Sequence, residues 1–456
     1  RRDFRRRWER LRPLLWWGAL AGLTVVALWP SLWVEPLGTL QHAAAWLSDT
    51  VDAPHNRGSF FMGQPVPDPG PAFYWVIAFF RLTTVTTVGL GLAAFAGGSR
   101  VKTRSPLSRR ATALLLLAAF ALLFVLFLST GSKKQDRYIT PLMPALDFLA
   151  AAGWVWAAEK IAAGRKGRLA LAAVTGLQAA IAGGSYPYYL SHYNLLAGGG
   201  PAAARTVLVG WGEGLDRAAG YLNSLPNADA LTATAWYHST FEPYFRGRAI
   251  ERVGDEKLSR SAKPWLMADY AVLYTNQIQR QMPTPGLLQF LRASPPEYVA
   301  RMGGIDYAAV YRSVGMQHGF ASEARLVGQA ELLGYNLFDE AGRPVAAAYP
   351  DSVAYLSLYW EWQGKAEAEP VGVSLVDAGG VTRGWGNPVE TVAPLPFEAW
   401  QEGMVVRDDF ALLIFADTPP GDYRLSAWID RPATGETVGV FPLAGETITV
   451  VARPNE

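Results

Sequence analysis

The sequence predicts a mixed fold. A polytopic α-helical membrane domain comes first, a small α/β domain follows, and an antiparallel β-sandwich ends the chain. Three observations predict it. Residues 111–130 are twenty in a row without a charge, enough to cross a bilayer as one helix. Charge is split: residues 1–186 hold 21 Lys and Arg against 9 Asp and Glu, and residues 187–456 hold 20 against 30. Beyond about residue 320 the apolar positions switch to alternation, the period of a half-buried strand.

The membrane expectation covers 1–186 and about five spans. Span A is roughly 13–34, after seven basic residues; span B is roughly 71–96, with Arg81 inside; span C is 111–130. Span D is 139–158, broken only by Asp147, and span E is about 169–186, Ala-rich and weakly apolar. Trp16, Trp17, Tyr74, Trp75, Tyr186, Tyr188 and Tyr189 fall at span edges, where amphipathic rings prefer the interface. The start and the 97–110 and 159–168 loops carry seven, five and four basic residues, against one in 35–70. By the positive-inside rule the basic loops are cytoplasmic, and the 35–70 loop, the 131–138 turn and everything after 187 are extracytoplasmic. Residues 37–48 read as an amphipathic helix lying along the membrane. The chain begins with Arg1 rather than Met, and the run from Pro13 to Val34 is too long and Trp-rich for a signal peptide, so the start reads as an interior point of a longer protein, with a genuine terminus as the alternative.

The turn GSKKQDRY between spans C and D puts Lys133, Lys134 and Arg137 on the side where the charge rule places few cations. Two readings stand: snorkelling to lipid phosphates, or a site for the phosphate of a lipid-linked substrate. Pro141 and Pro144 predict a broken entry to span D, and Asp147 a polar lining or a helix contact. The 35–70 loop gathers Asp52, His55, Asn56, Arg57 and Asp68; these could serve as acid–base groups, but their spacing matches no standard metal-ligand pattern. With no cysteine there are no disulfides and no thiolate metal sites. The pI of about 8.6 comes from the membrane half and is no argument for nucleic acid as a partner.

After a Tyr- and Gly-rich hinge at 187–204, the expected α/β domain runs over 205–315. ALTATAWY, MADYAVLY and IDYAAVYR read as strands, and GWGEGLDRAAGYLN as a loop and helix. GWGEG lacks the spacing of a dinucleotide loop. Glu213, Asp216 and His238 read as cap and surface groups, or as a site. The expected β-sandwich occupies 320–456, with strands in SVAYLSLYWEWQ, VGVSLVDA, FALLIFAD, YRLSAWID and TITVVA. Trp360, Trp362, Trp385 and Trp400 are candidates for a sugar-stacking face or for core and rim packing.

The segments HNRGSFFMGQPVPDPGPAFYWVIAFFRLTT, KKQDRYITPLMPAL and PYYLSHYNLLAGG, over about residues 1–225, resemble the late portion of bacterial integral-membrane glycosyltransferases. These enzymes are related to the protein O-mannosyltransferases and the lipid A aminoarabinose transferases. The resemblance implies a GT-C fold, with a polyprenyl-phosphate-linked sugar as donor and transfer on the extracytoplasmic face of the plasma membrane. Partners would be the lipid-linked sugar, membrane lipids and the missing N-terminal part. It implies that Lys133, Lys134, Arg137 and Tyr138 lie near the carrier phosphate and that His55 lies beside the substrate cavity. Phe61, Gly63 and Tyr74 match the aromatic and glycine words before the next span. The family's catalytic acid follows the first span, and no Asp of this sequence matches it. The alternative is a non-catalytic membrane-anchored protein that binds a glycan or another partner.

Overall fold

The computed structural model describes residues 2–52, 58–102, 108–161, 164–250, 262–282, 284–319, 325–326, 330–362, 369–389, 403–431 and 436–453. Two compact units divide the chain. One is Arg1–Ser59, Val66–Phe79 and Thr86–Arg168; the other is Phe60–Pro65, Phe80–Val85 and Leu169–Glu456.

The helical run begins with α1 (Arg2–Leu28), α2 (Ser31–Val34) and α3 (Pro36–Asp52), then α4 (Phe73–Arg81) and α5 (Thr84–Lys102). It continues through α6 (Arg109–Thr130), α7 (Met143–Ile161) and α8 (Arg165–Gly184). A short hairpin, β1 (Ser59–Phe61) and β2 (Gln64–Val66), precedes α4. Its two-residue turn has φ of 50° at Met62 and 82° at Gly63, the mirror-image turn that suits the twist of paired strands. Ser108 caps α6, its hydroxyl accepting from the Ala111 N–H at 3.2 Å. Leu115, Leu116, Phe120, Leu122, Leu123, Leu126 and Phe127 of α6 are exposed, so apolar surface covers most of that helix.

The expected domain of about five spans is corrected here. Among the described residues two helices are long and apolar enough to cross a membrane, Arg109–Thr130 and Asp136–Lys160, or up to four if each bent pair is one span. Of expected span A, Leu15–Leu28 is a shorter apolar helix among the described residues. Expected span B breaks between α4 and α5, which meet at 115°. The break is held by polar groups: the Asn194 N–H donates to the Phe80 carbonyl at 2.9 Å, and the Arg81 Nη1 donates to the Leu190 carbonyl at 2.6 Å. Thr83 and Thr84 hydroxyls bond Gln178 and Asn194. The Asn194 N–H takes the Phe80 carbonyl, a main-chain acceptor that a continuing helix would use. Expected span E bends by 107° into Tyr189–Ala197. The expected hinge at 187–204 holds the start of α9 (Gly199–Thr206).

Next come α10 (Leu215–Asn223), β3 (Thr232–Ala235), α11 (His238–Phe241), β4 (Arg248–Ala249), α12 (Lys263–Met267) and β5 (Tyr270–Tyr274). They are followed by α13 (Thr275–Gln279), α14 (Pro285–Arg292), β6 (Tyr298–Met302) and β7 (Ile305–Arg312). The strands form a five-stranded sheet in the order β4-β3-β5-β7-β6, parallel from β4 to β5 and antiparallel from β5 to β6. β5 is buried along its whole length, as expected of a central strand.

The rest is β8 (His318–Gly319), β9 (Arg325–Leu326), β10 (Ala330–Phe338), β11 (Ser352–Trp362), β12 (Glu369–Val376), β13 (Thr382–Pro388), β14 (Val405–Ile414), β15 (Gly421–Arg431) and β16 (Glu436–Val450). The expected sandwich of two facing sheets is also corrected. One hydrogen-bonded path, β16-β15-β12-β13-β14-β11-β10-β8, runs through a nine-stranded sheet, with β9 on β10. It curls: Ala348, in the loop after β10, exchanges hydrogen bonds with Thr449 and Val451, drawing one edge toward the other. A single apolar cluster fills the inside, including Leu356, Leu358, Trp360, Trp362, Phe410, Leu412, Leu425 and Val450. Trp360 and Trp362 are therefore core residues.

The outer face of this sheet is partly covered by the preceding layer. The Asn336 side chain of β10 donates to the Val314 carbonyl at 3.1 Å and accepts from the Gln317 N–H at 2.6 Å. Gly286 at the start of α14 lies so close to Gly403 that no Cβ would fit. Glu361 is buried on this covered face, opposite Glu331 in the β10–β11 register. Burial first, then the Glu331 charge, push its carboxyl up to about 7, and a Thr284 hydrogen bond offsets part of that. Because the folded state holds the proton more tightly, stability should be greatest near the ordinary glutamate value of 4.5 and fall as pH rises through about 7. The loss should be roughly 3 kcal/mol. Urea titrations across that range should show the decline in the parent and a flattened profile in Glu361→Gln.

Candidate functional site

The cationic turn is built by the ends of two apolar helices. α6 runs out at Thr130, whose hydroxyl turns back to the Phe127 carbonyl at 2.7 Å. Residues Asp136–Leu142 then form a 3-10 helix that leads into α7. Pro141 lies inside it and Pro144 in the first turn of α7, where a missing N–H costs little. Ile139 and Leu142 are buried and fix the turn against the helices. All of this lies within one unit, with Asp68 and Tyr74.

Within this turn the predicted cations take different positions. Lys134 is buried, its side chain 2% exposed, and its ammonium sits 2.9 Å from Asp68 Oδ1. It also donates to the Gly131 carbonyl. Asp68 Oδ1 accepts from the Gly70 N–H at 2.9 Å as well. Partial burial raises the Asp68 carboxyl, but the Lys134 hydrogen bond and charge and the Gly70 N–H outweigh it and hold it low. Lys133 is half-buried, and Arg137 is exposed, its guanidinium 5.8 Å from the centre of the Tyr138 ring. The turn thus brings Lys133, Lys134, Arg137 and Tyr138 together, with Lys134 committed to Asp68. His55 lies outside the described residues, as do Asn56, Arg57 and Trp400.

Two uncharged residues lie at the turn. Tyr74 is fully buried, its ring edge-on to Phe73 at 5.1 Å. The Gln135 side-chain oxygen is buried with no hydrogen-bond partner among the described residues. Asp147 accepts from the Thr86 hydroxyl at 3.2 Å, so this carboxylate joins α7 to α5. Gly89 and Gly153 let the same two helices touch backbone to backbone, since a Cβ on Gly153 would overlap the Gly89 carbonyl. Phe61 bridges to Val207, and Gly63 lies against the Arg205 carbonyl.

The three acid–base candidates of the α/β layer have separate partners. Glu213 accepts from the Trp211 N–H at 2.6 Å and the Tyr274 hydroxyl at 2.9 Å, which clamps the glycine-rich loop. Gly210 and Gly212 in that loop have φ of 97° and 117°, a backbone that favours glycine. Asp216 accepts from the Tyr188 hydroxyl at 2.5 Å. His238 stands 3.6 Å from Glu242. Among the described residues no group of three or more His, Asp or Glu is arranged to hold a metal.

No family model matches the chain, and no curated protein matches it. Among solved structures, the C-terminal domain of Wzt is 15% identical over 31% of this chain and 84% of that one, with a TM-score of 0.21. A Niemann-Pick type C2 protein from Japanese carpenter ant is 8% identical over 29% of this chain and all of its own, with a TM-score of 0.19. Likenesses this slight carry no argument about fold or function.

The geometry separates a structural cation from the others. Asp68→Asn should leave the Lys134 ammonium buried without a countercharge and cost roughly 3 kcal/mol. Lys133→Ala should cost less, about 1 kcal/mol or under, because Lys133 is only half-buried. Thermal unfolding of each variant in detergent, followed by circular dichroism, checks the contrast.

Proposed function

We propose that this chain acts as a membrane glycosyltransferase, moving a sugar from a polyprenyl-phosphate carrier to an acceptor on the extracytoplasmic face. The observation that supports it most is the turn between α6 and α7. An ion pair between buried Lys134 and partly exposed Asp68 fixes the turn at its base, and Lys133 and Arg137 belong to the same eight residues. The apolar surface of α6 favours a lipid surround, and the charge asymmetry of the flanking loops favours placing this turn outside the cytoplasm.

The chemistry follows from where charge develops. The acceptor hydroxyl gives up its proton to a base, and its oxygen attacks the anomeric carbon. The bond from that carbon to the carrier phosphate oxygen breaks, and the polyprenyl phosphate leaves with the electron pair. Negative charge grows on the phosphate. Fixed cations at a partly desolvated interface stabilise that charge without the reorganisation that water needs. Arg137 suits this role best, since a planar guanidinium can hold two phosphate oxygens. Lys133 adds a point charge, and Tyr138 offers a hydroxyl and a ring for Arg137. Lys134 positions the turn rather than touching the phosphate.

Arg137→Ala should lower the rate of sugar transfer from a labelled polyprenyl-phosphate sugar by about 10- to 100-fold, the worth of a charged hydrogen bond. Lys133→Ala should lower it less. Both variants should unfold near the parent temperature. Near-normal rates for both at matched protein levels would leave lipid snorkelling as the role of these cations.

A further inference from the structure

Among the described residues, the outer sheet face carries a pair of tryptophans. In the β12–β13 register Trp385 lies opposite Ser374, and in the β12–β15 register Trp428 lies opposite Gly372. The core residues Val373, Leu375, Leu425 and Ala427 alternate with these positions, so both indoles stand on the face away from the core. Their ring centroids are 6.0 Å apart, at 41°. The Trp428 Nε1 donates to the buried Ser374 hydroxyl at 3.3 Å, which fixes that ring. Trp385 is 40% exposed.

β13 is shaped to show this face. Its sequence alternates Arg383, Gly384, Trp385, Gly386, Asn387. A Cβ on Gly384 would come within 2.7 Å of the Leu413 carbonyl, and one on Gly386 within 2.6 Å of the Ala411 carbonyl. Glycines therefore seat this strand close against β14. Its side chains from 383 to 387 all belong to the outer face, in a row spaced by about 7 Å.

Charge narrows the occupant. The Arg383 guanidinium is held by Asp377 at 3.0 Å and Asp417 at 3.5 Å, so it offers directed N–H groups and little net charge. Residues 330–456 hold seven Lys and Arg against nineteen Asp and Glu. Nucleic acid and anionic lipid are repelled by such a surface. Leu413, opposite Trp385, and Tyr355, beyond Ala411, extend the exposed apolar row, which Arg383 and the exposed amide of Asn387 flank with polar groups. An uncharged sugar chain fits: its ring faces pack on indole, and its hydroxyls pair with guanidinium and amide groups at the rim.

We propose that Trp385, Trp428, Arg383 and Asn387 form a binding platform for uncharged glycans on the outer face of β13 and β15. The proposal stands independently of the transferase reading, since it needs neither the cationic turn nor sugar transfer. It explains why Trp385 is left exposed while Trp360 and Trp362 are buried in the core.

The test uses the full chain in detergent on an array of immobilised gluco-, manno- and galacto-oligosaccharides. The parent should retain at least one class with a salt-insensitive affinity. Trp385→Ala should weaken that binding about tenfold or more, and Trp385→Phe should restore it to within about threefold, because the ring face does the packing. Asn387→Ala, at an exposed position that leaves the sheet intact, should weaken it by a smaller factor. If Trp385→Ala lowers the unfolding temperature, Trp385→Phe and Asn387→Ala decide the matter. Retention of no member of the array, or retention unchanged by all three variants, would overturn the platform. Binding that disappears with added salt would instead point to charged contacts and would also overturn it.

Discussion

The bond between Lys134 and Asp68 sets the terms for the cationic turn. An ammonium whose side chain is 2% exposed needs a countercharge, and Asp68 supplies it from 66 positions earlier. With that pair made, the chain after β2 is tied to the end of α6, and the Gly70 N–H and Gly131 carbonyl complete the knot. Asp68 is 39% exposed, so the pair has one wet side and escapes part of the penalty of full burial. The consequence for function is a division of labour among three neighbouring cations. One is committed to holding the turn; of the other two, Arg137 is exposed and Lys133 half-buried.

The second constraint is the curl of the nine-stranded sheet. A flat sheet would have two exposed faces to cover; this one closes on a single core and leaves only its outer face to be managed. The α/β layer covers the part near Asn336, Glu361 and Gly403 through hydrogen bonds and close glycine packing. It places a buried carboxylate, Glu361, against a second one on the next strand, which links the stability of that contact to pH. Elsewhere on this face lie the exposed indole and its polar rim.

Much of the secondary structure was legible because alternation is a local signal. IDYAAVYR is β7 in full, SVAYLSLYWEW is β11, and the first five residues of FALLIFAD lie in β14. The same alternation would have placed Trp360 and Trp362 in the core, since they share parity with Leu356 and Leu358. Three things were not legible. The pairing of Lys134 with Asp68 joins distant residues and has no periodic mark. The closure of the sheet through Ala348 depends on the path of a loop, and alternating strands suit one curled sheet as well as two facing ones. The span count failed because a window of apolar residues does not register Arg81, Thr83 and Thr84, whose polar bonds break the helix. At the cationic turn, residue type gave the charges and their place. Only burial separated Lys134 from Lys133 and Arg137.

The account stands on the claim that the turn between α6 and α7 meets the phosphate of a lipid carrier. The most direct measurement is photocrosslinking of a polyprenyl-phosphate probe with its reactive group beside the phosphate, on the full chain in nanodiscs. Mass spectrometry would map the labelled sites. The account predicts labelling concentrated in residues 131–138, removed by excess unlabelled carrier and by little of an ordinary anionic phospholipid. Labelling spread evenly over the exposed apolar side chains of α6, or equally displaced by either lipid, would contradict it.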